Sequence, residues 1–348
     1  MRGDSLYPDV SGPIAGFLYL PGFAVAFMPF DWLGPWIGDA VWKATGLVLL
    51  TYAAWSSCRE MHRDIRVRVL SVAFALSIPL LAGSFLNGQS NIHLAAACWL
   101  MTLSAFREKT TGVLFWTGAA ILAKPLAIVM ILLIACLRPR MIPALASGIV
   151  WAIGLPLIAA DGQYLLSLYR DCWKMLTTMA VSERFATADF TAVISRLGWS
   201  LDLGLIAIIR CIAALAAWAI ALWISFRLPR NAAVLGVMII GASYMCLFNP
   251  RAEGLTYSIL ALPCAMVIGV YLYEGRARVL WATAAVTMVV VGSNGISIGI
   301  LNLTRYWFKP AVFIGLLVLM AAAIAKTWAS DPCSTHVFDA RSAQPASS

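Results

Sequence analysis

Apolar residues along this chain run in long unbroken stretches separated by short polar turns. Stretches at 37–56, 67–84, 91–106, 141–160, 201–226, 231–248, 255–272, 279–298 and 309–326 are of the length a helix needs to cross a bilayer, about 20 residues. Two further stretches, 111–123 and 125–137, are too short to cross singly, and Lys124-Pro125 divides them. They form either one long kinked helix or two half-depth helices meeting at Lys124. The segment 14–30 is apolar but short and carries Pro21 and Pro29, which predicts an interfacial or re-entrant helix. Residues 327–348 are polar and rich in Ser and Ala, which predicts a disordered cytoplasmic tail. The expected fold is all-α: a polytopic bundle of about 9–11 membrane helices. Residues 1–36 form its external N-terminal segment, 37–326 the bundle and 161–200 a long external connection.

Charge turns this pattern into a topology. Basic residues gather between the stretches: Arg59, Arg63, Arg66 and Arg68, then Arg107 and Lys109, Arg138 and Arg140, Arg227 and Arg230, and Arg276 and Arg278. If 111–137 is a hairpin, every cluster lies on one face, whereas a single span would send Arg138 and Arg140 to the other. The tendency of basic loops to stay inside favours the hairpin and makes that face cytoplasmic. The location expected is the plasma membrane, with the active face extracytoplasmic. That face carries 1–36, the turn from Gly88 to Asn91, the 161–200 connection, Asn249 to Glu253, and Asn302 to Lys309. A chain entering from outside with no signal peptide points to a helix preceding this start.

Composition narrows the class. Of 348 residues, 61% are hydrophobic and 12% charged, against roughly 45–50% and 25% in soluble domains. A soluble two-domain enzyme, a disordered chain and a secreted disulfide scaffold are excluded. The net charge of +9 meets lipid headgroups, not nucleic acid. Eight cysteines include no CxxC pair and read as small buried hydrophobes. Three isolated histidines make no metal site. No cofactor is expected, leaving at most one divalent ion shared with a phosphate.

Candidate chemistry is confined to a few polar residues. Lys124 is an amine at membrane depth, where a charge costs about 2.5–3.5 kcal/mol. It is either a snorkelling lysine or a group lining a wet cavity. A cation at a helix break suits a phosphate, because the next half-helix begins there with free N–H groups. In Asn87-Gly88-Gln89-Ser90-Asn91, Asn91 either caps the 91–106 helix or joins a site. Gln89 has no capping duty and can reach a sugar hydroxyl or a phosphate oxygen. In Asn249-Pro250-Arg251-Ala252-Glu253, Arg251 can hold phosphate with Glu253 orienting it, or the two form a local ion pair. Asp39 and Lys43, one turn apart, neutralise each other. Arg210, inside its span, requires a partner that the sequence leaves unnamed. The aromatic start (Tyr7, Phe17, Tyr19, Phe23, Phe27, Phe30 and Trp32) reads as an interfacial belt that also suits a polyprenyl chain.

Leu6-Tyr7, Tyr19 to Pro21 followed by Pro29, the GQSN turn, and Thr111 through Gly118 to Lys124-Pro125 occur in order with Glu183 to Gly198 and Asn249 to Glu253. The set resembles the GT-C superfamily of membrane glycosyltransferases. It is most similar to glycosyltransferase family 87, the polyprenyl-phosphate-mannose-dependent type. The resemblance implies transfer of a hexose, mannose, from a polyprenyl-phosphate donor to a lipid or glycan acceptor, with inversion. It places Lys124 and Arg251 at the donor phosphate, and Tyr7, Tyr19, Gln89, Asn91, Asn249 and Glu253 toward the substrates. The family's catalytic aspartate precedes the Leu6-Tyr7 motif. Asp4 and Asp9 fit its spacing poorly, so the aspartate is expected upstream of Met1, or the chain is a catalytically incomplete member. Other readings are a membrane transporter or lipid flippase, a noncatalytic scaffold, and a lipid-linked sugar polymerase or ligase.

Overall fold

A computed structural model describes residues 6–7, 17, 19–181, 187–250, 252–275, 277–293, 304 and 306–330. Among these the regular structure is helical, with no strand. Among the described residues, five helical stretches are long and apolar enough to cross a membrane: Arg63–Leu86, Pro139–Ile158, Leu203–Arg227, Arg230–Leu247 and Phe308–Lys326. The protein is therefore an all-α polytopic membrane protein.

The chain opens with α1 (Pro21–Asp31), α2 (Gly34–Ser57), α3 (Arg63–Leu86) and α4 (Asn91–Phe106). Pro21 sits where a helix tolerates it, at the first turn. The apolar stretch at 14–30 therefore becomes helical only from Pro21; Phe17, Tyr19 and Leu20 precede it as non-helical chain, and residues 14–16 and 18 lie outside the described residues. Helix α2 begins at Gly34, inside the stretch expected to be an N-terminal segment. Every residue of α4 except His93 is buried, and α4 packs against α2, α5, α11 and α12, making it the hub of the bundle. Its Ala95, Ala96 and Ala97 let neighbouring backbones come close.

Two short helices follow, α5 (Thr110–Ala123) and α6 (Ile128–Leu137), joined by a 3-10 turn at Pro125–Ala127. At 1.5 Å per residue they are roughly 21 Å and 15 Å long, each short of the about 30 Å hydrocarbon layer. Gly112 near the start of α5 lies against Ser104, and Arg138 just after α6 lies over the Phe106 ring at 4.3 Å. The chain thus returns to the end of the bundle it left. The pair splays: α5 packs on α4 and α7 (Ile142–Gly154), whereas α6 packs on α11. Gly118 meets Trp151, and Gly148 meets the Leu114 carbonyl and Thr117. Small residues at this crossing set its spacing.

The 161–200 connection, read from sequence as a long external segment, contains α8 (Gly162–Val181) and α9 (Phe190–Arg196). Helix α8 packs on a small second core, in which Tyr7, Leu168, Cys172 and Met175 meet Leu6, Phe17 and Leu20. The bundle is completed by α10 (Leu203–Arg227), α11 (Arg230–Leu247), α12 (Ser258–Glu274), α13 (Arg278–Ser293) and α14 (Phe308–Ser330). Only 6% of the residues in the apolar window of α10 are fully buried, so this helix packs on α11 along one side and turns its other side to lipid. Helix α14 continues to Ser330, four residues into the stretch expected to be a disordered tail; residues 331–348 lie outside the described residues.

The two ends of the bundle differ in charge. At one end the Arg107 guanidinium donates to the Ser56 carbonyl at 2.7 Å, and Arg230 pairs with Glu60 at 3.0 Å. Arg59, Arg63, Arg66, Arg138, Arg140 and Arg278 flank the same helix ends. We call this the basic end. The opposite end brings together the α3–α4 turn, the α5–α6 break and the chain before α12.

Candidate functional site at the end opposite the arginines

Lys124 closes α5 in an extended conformation (φ −165°, ψ 134°). Pro125 causes this, since the residue before a proline is pushed out of the helical region. The break turns the Lys124 side chain back onto α4. Its Nζ donates to Asn91 Oδ1 at 3.0 Å. The Asn91 amide donates in turn to Gln89 Oε1 at 2.6 Å and to the Leu255 carbonyl at 3.1 Å, so both Asn91 side-chain donors are used inside the site while its oxygen receives Lys124. Asn91 is therefore not a helix cap: Ser90 occupies the cap position, and no side chain bonds the first-turn amides there. Ser90 instead donates to the Ala123 carbonyl at 2.9 Å, tying the α4 start to the α5 end, and lies 3.3 Å from the Tyr19 hydroxyl. The amine is thus tied into the hydrogen-bonded group around Asn91.

The chain just before α12 forms the other wall. Residues 249–250 and 252–257 precede α12 as a loop; the apolar pattern had put the helix start at 255, and the structure puts it at Ser258. Three side chains hold the Leu255 carbonyl: Asn91, Ser84 at 2.9 Å and Ser258 at 2.8 Å. Buried Lys309, at the start of α14, donates to the neighbouring Gly254 carbonyl at 2.9 Å. Two lysine side chains thus bear on one short turn, Lys124 through Asn91 and Lys309 directly. Glu253, exposed beside them, is the acidic group whose field acts on Lys124. Sequence reading passed over Lys309, although Lys309-Pro310 repeats the dipeptide of Lys124-Pro125. It also passed over Ser84 and Ser258, whose role depends on contacts more than 160 residues apart in sequence.

Tyr19 and Tyr7 stand at the rim. The Tyr7 hydroxyl donates to the Tyr19 carbonyl at 2.7 Å, and burial pushes the Tyr7 phenol well above its ordinary range. Tyr19 stacks on Phe23 (4.2 Å between centroids), and the row continues through Phe27 and Phe30 around Trp42. Trp42 lies flat on His93 at 3.6 Å and donates to the Gly88 carbonyl at 2.9 Å. Asp39 and Lys43 pair at 2.6 Å. Asp4, Asp9 and Arg251 lie outside the described residues.

The partner of Arg210 is Asp189. Asp189 is fully buried and receives Arg210 Nη2 at 3.1 Å. Its other oxygen accepts from Thr187 Oγ1 and from both the amide and hydroxyl of Thr191. The residue also caps α9. This short segment docks on the loop before α12: the Ala188 amide donates to the Ala252 carbonyl at 2.6 Å, and the Tyr257 hydroxyl donates to the Ala188 carbonyl at 2.9 Å. Beside it opens a cleft of about 450 Å³ lined by Thr187, Thr191, Ser195, Arg196, Tyr306 and Trp307.

Against known families, the model of glycosyltransferase family 87 matches residues 17–250. The chain belongs to glycosyltransferase family 87. No curated protein and no solved structure gives a significant match to it. Family membership makes the protein a membrane glycosyltransferase by class. The matched span of this family 87 protein takes in Tyr19, Gln89, Asn91, Lys124, Asp189 and Asn249. Glu253, Lys309 and the Tyr306–Trp307 wall of the cleft lie beyond it.

Proposed function

We propose that this family 87 protein transfers a hexose, mannose, from a polyprenyl-phosphate donor to a lipid or glycan acceptor. The reaction takes place on the extracytoplasmic face of the plasma membrane. The observation that carries the proposal is the Lys124 amine, fixed by Asn91 at the helix break and set beside the Glu253 turn at the end opposite the arginine clusters. Basic loops stay cytoplasmic, which leaves the lysine network outside. The aromatic row from Tyr19 to Trp42 suits an isoprenoid chain lying along the membrane boundary.

In this reading an acceptor hydroxyl attacks the anomeric carbon from the face opposite the phosphate. The C–O bond to phosphate breaks, and the bonding pair leaves with the phosphate oxygen. A carboxylate takes the proton from the hydroxyl, and one displacement gives inversion. Charge grows on the departing phosphate, and Lys124 is the group that stabilises it; Arg251 is assigned to the same phosphate on its motif. Gln89, Asn91, Asn249 and Glu253 orient the sugar and the turn. The resemblance puts the base on an aspartate ahead of Leu6-Tyr7, a spacing that Asp4 fits poorly.

Membranes carrying the full chain, given labelled polyprenyl-phosphate mannose, should pass label to lipid or glycan. Lys124→Ala should lower that turnover by about 10²–10³-fold, the cost of deleting one donor to developing charge. Unchanged turnover would take Lys124 out of the site.

A further inference from the structure

The cleft beside α9 is lined by none of the residues assigned above to the donor phosphate, and its lining is chemically specific. Thr187 and Thr191 both give their hydroxyl hydrogens to Asp189. A hydroxyl that donates in one direction keeps its lone pairs for another, so these two oxygens act as acceptors for an incoming O–H. Asp189 is itself locked by Arg210, and the acceptor role of the threonines is therefore built in. The opposite wall is aromatic: Arg196 lies 5.6 Å from the centre of the Trp307 ring, with Tyr306 alongside. Trp and Tyr pair an apolar face with a polar edge, and Arg196 adds fixed donors. Among the described residues, those lining the cleft include no carboxylate and no lysine. A volume of about 450 Å³ falls in the range of small-ligand sites, about 300–1,000 Å³.

This combination fits a polyol ring whose hydroxyls donate to fixed oxygens while its C–H face meets an indole. We infer that the cleft between α9 and Trp307 is the acceptor subsite and holds a neutral hexose residue. The inference rests on the transferase reading above and names the acceptor's chemical class. The placement agrees with it: residues 188 and 252 join the cleft wall to the turn whose other side is bonded by Asn91. An acceptor in the cleft and a donor phosphate at Lys124 thus flank the same turn. Asp189 is in this scheme a positioning residue, acting through Thr187 and Thr191.

Saturation-transfer NMR on the full chain in nanodiscs tests this, with methyl α-D-mannopyranoside and methyl β-D-glucopyranoside as probes. At least one probe should take up saturation with the unaltered chain. The signal should fall at least fivefold in Thr191→Val, which keeps the side chain's shape, and in Trp307→Ala, while persisting in Lys124→Ala. In the transfer assay Thr191→Val should raise KM for a glycoside acceptor about tenfold with kcat nearly unchanged. No saturation with the unaltered chain, signals indifferent to Thr191→Val, or displacement of the probe by geranyl phosphate would overturn the assignment. The last result would make the cleft a donor site. If no glycosidic bond forms yet probe binding depends on Thr191, the transferase reading fails and the sugar cleft stands. If transfer proceeds with an acceptor KM that ignores both substitutions, the cleft fails and the reading stands.

Discussion

At the scale of single residues, the site is a matter of who holds whom. Lys124 needs Asn91, because the Asn91 carbonyl oxygen receives its amine and the Asn91 amide is fixed from the far side by Gln89 and Leu255. Asn91→Ala removes that rest, and a group displaced by about 1 Å costs on the order of 10² in rate. The expected outcome is a turnover about 10²-fold lower with the protein still folded, read from label transfer alongside a thermal melt in detergent. Turnover at the level of the unaltered chain would show that Lys124 needs no fixed partner. Lys124 and Asn91 were legible in the sequence because polar groups stand out in apolar stretches. Their direct bond was not, since it joins two helices 33 residues apart. Asp189 was illegible for the same reason: a carboxylate just before Phe190 reads as an ordinary helix cap, and only folding brings Arg210 against it.

At the scale of elements, apolar pattern located most membrane helices to within a few residues, and proline explained the main exceptions. It failed in 161–200, because α8 lies against the end of the bundle and so carries a polar face. Its residues Gln163, Tyr164, Arg170, Asp171 and Lys174 break any apolar run. Two contacts at this scale are testable. The α5–α7 crossing depends on Gly118, where an added side chain meets Trp151 and the Gly148 carbonyl. Gly118→Val should destabilise the protein by about 1–3 kcal/mol through overpacking, seen as a lowered Tm in detergent. The α9–α10 link depends on the Asp189–Arg210 pair. Removing one member of a buried pair leaves the other uncompensated, typically at about 3–5 kcal/mol. Arg210 retains partial exposure, with 25% of its side chain accessible, which discounts that figure, so Arg210→Met should cost roughly 1–3 kcal/mol. A Tm unchanged by Arg210→Met would mean that the Thr187 and Thr191 bonds alone hold Asp189.

For the whole molecule, the question is which way the bundle sits in its membrane. The turn at Lys124 puts Lys109 and Arg140 at the same end, since Gly112 meets Ser104 and Arg138 covers Phe106. Asn87, exposed in the α3–α4 turn, marks the other end. The positive charge crowded at the Lys109 end makes that end cytoplasmic, and Asn87 therefore extracytoplasmic. Single cysteines report this directly, in a background where all eight native cysteines are serine. A membrane-impermeant maleimide should label Asn87→Cys in intact cells, whereas Lys109→Cys and Arg140→Cys should react only after permeabilisation. Labelling of Lys109→Cys and Arg140→Cys in intact cells, with Asn87→Cys protected, would invert the bundle and put Lys124 on the cytoplasmic side. Nucleotide-activated sugars would then be the donors to test, in place of the lipid-phosphate kind. The same label applied with and without a prenyl phosphate links orientation to chemistry. An occupied donor site beside the α3–α4 turn should slow modification of Asn87→Cys and leave Arg140→Cys unaffected.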